Sequence, residues 1–91
     1  MSDYPMRGDI KWAIDAYVES GLPLGGFLTT VMENDLMGAM ARADVYNRAS
    51  LHAICGYIYM EIPSDCHGSR EKVEAWYERK DQERSKAAHL S

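Results

Sequence analysis

"VYNRASLHAICGYIYMEI", residues 45–62, is the segment on which the fold class turns. Its apolar, aromatic and β-branched content suits a buried helix or, over residues 57–62, a strand. Read at helical spacing, Leu51, Ile54, Cys55, Ile58 and Ile62 form one apolar face, while Ala53, Tyr57 and Met60 form part of a second. A helix apolar on two sides is the central helix of a small bundle. A strand would need a partner to pair with, and no second strand pattern exists in the chain. The spacing therefore predicts an all-α fold, a compact bundle of four to five short helices with 45–62 at its centre.

Upstream, "DIKWAIDAYVES" places Ile10, Ala13, Ile14 and Tyr17 at the i, i+3, i+4, i+7 spacing of an amphipathic helix. Asp9 is the expected N-cap, and Gly21 followed by Pro23 is the expected stop. "GLPLGGF", residues 21–27, comes next. Here Gly21 reads as a helix C-cap and Pro23 as a rigid turn. Gly25 and Gly26 are expected to take the backbone sharply round, with positive φ within reach, so that Phe27 drops into the core beside Val31. Over 26–44, Phe27, Leu28, Val31 and Met32 form one stripe and Leu36, Met37, Met40 and Ala41 another, with a break expected at Asn34–Asp35.

Downstream, Pro63 ends the apolar segment and "PSDCHGS" reads as a loop. Ser69 is placed to cap a last helix carrying Val73, Trp76 and Tyr77 as its apolar stripe. From Glu78 onward charges alternate with no stripe at all. Residues 1–78 thus read as a single helical domain and 79–91 as a charged helical extension or tail.

The chain has 91 residues, 46% hydrophobic and 26% charged, with a net charge of −4. That is the composition of one small globular domain. No apolar run approaches the roughly 18–20 residues of a membrane span, and "MSDYPMRGD" lacks the apolar stretch of a signal peptide. A cytoplasmic protein with no membrane partner and reduced thiols at Cys55 and Cys66 is expected. Residues 1–66 hold nine acidic and four basic groups, whereas 67–91 hold five and six. An acidic body argues against direct nucleic-acid binding, which relies on Lys and Arg at phosphates.

Candidate sites are few. Gly25 and Gly26 precede a helix N-terminus, a place where free N–H groups and the helix dipole favour an anion. No Lys-Ser/Thr follows the last glycine and no strand precedes the loop, so it is neither a P-loop nor a dinucleotide fingerprint. Asn34, Asp35, Arg42, Asp44, Asn47 and Arg48 cluster at helix junctions, with Asp44 and Arg48 in the acid-first i,i+4 order; they read as a capping network or as a contact surface. His52, Cys55, Cys66 and His67 are soft ligands, but their spacing matches no zinc finger. A Cys55–His52 nucleophile pair would sit on an apolar face that does nothing to stabilise a thiolate. No enzyme, cofactor or metal is expected. Trp12, Tyr46, Tyr57, Tyr59 and Met60 exceed what a core of this size hides, and predict a homo-oligomer.

Taken together, "YVESGLPLGGFLTTVMENDLMGAMARAD", Asn47, "YIYMEIPSDCHGS" and Trp76 resemble a small helical family encoded by bacteriophages and prophages. The resemblance spans about residues 10–77 and rests on Gly21, Pro23, Gly25, Gly26, Phe27, Asn34, Asp35, Arg42, Asp44 and Asn47. His67 departs from it, standing where the pattern has Trp, and Met32 and Met60 depart mildly. The resemblance brings no activity with it and implies a phage accessory protein. The expected function is non-enzymatic: binding and inhibiting a host protein in the host cytoplasm, in defence against the host's anti-phage systems. The alternative is a small-ligand protein that seats a nucleotide or other anion at Gly25–Gly26.

Overall fold

The computed structural model describes the backbone over residues 4–90 and the side chains over 4–86. The chain is all-α, with no strand among the described residues. Its helices are α1 (Gly8–Ser20), α2 (Gly26–Met32), α3 (Leu36–Arg42), α4 (Val45–Ala49), α5 (Leu51–Glu61) and α6 (Arg70–Leu90), with one 3₁₀ turn at Ser64–Cys66. That is more helices than the four to five expected, because 45–62 is two helices and not one. Ser50, at φ −96° and ψ 2°, ends α4 and opens α5.

Tyr17 is the hub of the core. It is fully buried, its hydroxyl donates to the Cys66 carbonyl at 2.8 Å, and its ring meets Tyr77 edge-on. The Tyr17 carbonyl accepts from Trp76 Nε1 at 3.1 Å and from the Gly21 amide at 2.9 Å. One residue of α1 therefore ties together the 3₁₀ turn, α6 and its own C-cap. Ile14, Met32, Ile54, Val73 and Cys66 fill the space around it with almost no exposure. α2 packs most extensively on α3, and the Gly68 amide donates to the Met32 carbonyl at 2.7 Å, which seats the 63–69 loop on the end of α2.

The glycine-rich corner is held by its surroundings. Gly21 adopts the left-handed C-cap conformation at φ 67°, and the Leu24 amide donates to the Tyr77 hydroxyl at 3.0 Å. Gly25 is instead the extended N-cap of α2 at φ −69°, and among the described residues only Gly21, Gly68 and Asn34 have positive φ. The expectation of a left-handed turn at Gly25–Gly26 is corrected accordingly: the demanding glycine is Gly21. Phe27 is half-buried against the core.

Three further expectations are refined. Arg7, not Asp9, occupies the N-cap position of α1 and makes no side-chain cap, while Asp9 sits in the first turn 3.2 Å from the Arg7 guanidinium. The Ser69 hydroxyl does cap α6, accepting from the Lys72 amide at 3.2 Å. α6 then runs unbroken through residue 78, and Lys80 packs its stem over Gly21 with its ammonium 5.0 Å from the Trp76 ring centroid. Side chains 81–86 are exposed. Ser91 lies outside the described residues.

Candidate functional site

The polar set singled out in the sequence is divided by α3. At its C-terminal end the Arg42 stem crosses the start of α2, 3.6 Å from where a Cβ on Gly26 would lie. Gly25 and Arg42 are exposed on this side. At the N-terminal end of α3 lie Asn34 and Asp35. The Asp35 carboxylate caps α3 by accepting from the Gly38 amide at 3.0 Å, and the Asp44 carboxylate caps α4 by accepting from the Asn47 amide at 2.7 Å. Arg48 donates to the Ala43 carbonyl at 3.3 Å, so the expected Asp44–Arg48 pair is not formed. Among the described residues, the nearest cation to Asp44 is Arg7, at 4.0 Å. Both carboxylates therefore serve as N-caps, while Asn34 faces a different part of the molecule.

That part is a cleft of about 390 Å³ between α2, the α2–α3 turn, α5 and the 63–69 loop. One stripe of α5 supplies a wall through His52, Cys55, Gly56 and Tyr59, the i, i+3, i+4, i+7 positions of a helix face. Val31, Leu36 and Ile58 complete the apolar surface. Asn34, held at φ 65° by the turn, stands at one side, and His67 and Gly68 close the other. Sequence reasoning placed Cys55 among core hydrophobes and missed this cleft. The only signal was the His52–Cys55–Tyr59 spacing, which is equally that of an ordinary buried face.

The cleft's chemistry is neutral. Its described lining contains no Asp, Glu, Lys or Arg. Burial pushes the Cys55 thiol above its ordinary range, the wrong direction for a nucleophile. Burial likewise lowers the His67 imidazole, and its Nε2 is buried without a hydrogen-bond partner. Cys66 turns the other way. It is fully buried, donates from Sγ to the Pro63 carbonyl at 3.0 Å, and is pushed up to about 11, chiefly by burial. Among the described residues, no three of His, Cys, Asp and Glu come together as a metal site.

A second surface lies next to the cleft. α3 and α4 bury only small side chains, Ala39 within α3 and Ala43 at its C-cap. Their large apolar residues face outward: Leu36, Met37, Met40, Val45 and Tyr46, with Met37 82% and Val45 73% exposed. Tyr59 and Met60 of α5 and Trp12 of α1 are exposed as well, whereas Tyr57, expected among them, is buried with its hydroxyl donating to Asp15.

No helix among the described residues is long and apolar enough to cross a membrane. No protein-family model matches the chain, and neither a curated protein nor a solved structure is similar to it.

Proposed function

We propose that the chain is a non-enzymatic protein-binding module that acts by presenting α3–α4 to a partner. The observation that carries this reading is the inverted packing of those helices, which turn alanines inward and methionine, leucine, valine and tyrosine outward. An exposed apolar surface of this kind marks an interface, and Met and Tyr are residue types enriched there. On the resemblance to phage-encoded proteins, the partner is a host protein met in the host cytoplasm, and binding inhibits it by covering a working surface. The test is affinity capture from host lysate by the wild-type chain, Met37→Glu and Tyr46→Glu in parallel. One host protein retained by the wild type and lost by both variants, at unchanged melting temperature, supports the reading. A protein retained equally by all three removes α3–α4 from it.

A further inference from the structure

We infer that the cleft between α2, α3 and α5 is a binding site for a small, neutral aromatic molecule, its ring against Leu36, Ile58 and Tyr59 and its polar edge toward Asn34 and His52. This site adjoins the outward face of α3–α4 and shares Leu36 with it, but does not depend on the function proposed for it.

The cleft has the make-up of a ligand pocket. Its volume of about 390 Å³ falls at the lower end of the roughly 300–1,000 Å³ range of small-molecule sites, which suits a ligand of one or two rings. Such sites combine mostly apolar walls with a few convergent polar groups. Here the walls are Val31, Leu36, Ile58 and Tyr59, and the polar side chains open to solvent are Asn34 and His52. The His67 Nε2 is sealed from solvent and lies behind the wall. Asn34 is the one non-glycine residue with positive φ among those described, and the turn that holds it there sets its amide beside the cleft.

The same lining selects the ligand's class. With no lining Asp, Glu, Lys or Arg, a charged ligand would lose hydration without gaining a counter-ion. A purely apolar ligand would leave the polar edge unanswered. A planar ring with one hydrogen-bonding edge satisfies both conditions. Cys55 lies in the wall and gives the site its own reporter, since a seated ring covers the thiol, while Cys66 is fully buried elsewhere.

The experiment titrates the protein with indole, a neutral bicycle with one N–H donor, and with indene, its donor-free counterpart. Amide NMR shifts and the rate of Cys55 alkylation by iodoacetamide are read together. The expected result is saturable indole binding, with Kd in the range of roughly 0.1–5 mM for so small a probe. Shifts should concentrate at Asn34, Leu36, Cys55, Gly56, Tyr59 and Gly68, and alkylation should slow with the same midpoint. Indene should bind about three- to tenfold more weakly, the effect of one hydrogen bond. His52→Trp, an exposed substitution that fills the cleft, should abolish indole binding. Asn34→Gly, which keeps the positive φ and removes the amide, should weaken it, and Met37→Glu should leave it unchanged. Indole shifts that never saturate or that spread over Met37, Tyr46 and Trp12 would overturn the proposal, as would unslowed alkylation or equal affinity for indene.

Discussion

A methyl group placed on Gly21 would sit 2.5 Å from the Lys80 Cβ, on a residue whose φ is +67°. Both the backbone and the space demand glycine, so Gly21→Ala is expected to cost at least about 1–3 kcal/mol. Gly26 meets neither constraint: its φ is not positive, and a Cβ would find the Arg42 Cδ at 3.6 Å and Nε at 3.8 Å, both ordinary contacts. Gly26→Ala should then be neutral or stabilising by up to about 1 kcal/mol, through the unfolded chain's reduced freedom. Urea denaturation of the two variants separates them, and equal losses would contradict the account of the corner. His67 offers a test in pH. Its folded value lies below the ordinary 6.5 because of burial, so below pH 6.5 the unfolded chain binds this proton more readily than the folded one. This site is neutral in both states above that pH and takes nothing from stability there. Stability falls as pH drops below 6.5 and levels off once the folded imidazole is also protonated. Urea midpoints at about pH 8 and pH 5 should differ less for His67→Gln than for the wild type. An unchanged difference would show that His67 does not respond to burial in this way.

Among the elements, α3 and α4 have seven and five residues, too few to be stable helices by themselves. They persist through their Asp35 and Asp44 caps, the Ala39 and Ala43 contacts, and the packing of α2 on α3. Asp44→Ala should cost about 0.5–2 kcal/mol, and Asp44→Asn, which retains an acceptor, much less. Thermal melts compare the pair, and equal loss would mean that charge beside Arg7 and not capping is what Asp44 contributes. Although Asp9, read the same way, does not cap α1, the Asp35 cap was legible in the sequence, because Asp competes with the backbone for hydrogen bonds where an apolar pattern breaks. So was the Gly21 stop. The α4–α5 break was not. Ser50 departs from helical geometry in both φ and ψ, with neither Gly nor Pro to signal it. The cleft was illegible for a related reason. His52, Cys55 and Tyr59 share a helix face in the sequence, but only tertiary packing determines whether that face meets another helix or an open space.

Across the whole molecule, the radius of gyration of 13.6 Å exceeds the roughly 12 Å of a compact chain this long. The excess goes with α6, whose 21 residues span about 31 Å. A body this small has limited interior, and the apolar residues it leaves outside are concentrated in α3–α4. Hydrophobic periodicity identified Leu36, Met37 and Met40 as part of an apolar stripe, but it carries no information on whether a stripe faces the core or a second protein. In the absence of another partner, the same face should find a second copy of itself, because a self-complementary apolar patch is what a two-fold dimer buries. The expected outcome is a dimer by light scattering at concentrations of tens of micromolar. Tyr46→Glu, at a side chain 68% exposed, should restore the monomer while changing stability by no more than about 0.5 kcal/mol. Since one surface cannot serve both uses at once, a captured partner should dissociate the dimer, and the complex should contain one copy of this chain. A monomeric wild type would limit the face to hetero-binding. A dimer that survives both Met37→Glu and Tyr46→Glu would place self-association on another surface, with Trp12 the next apolar residue to change.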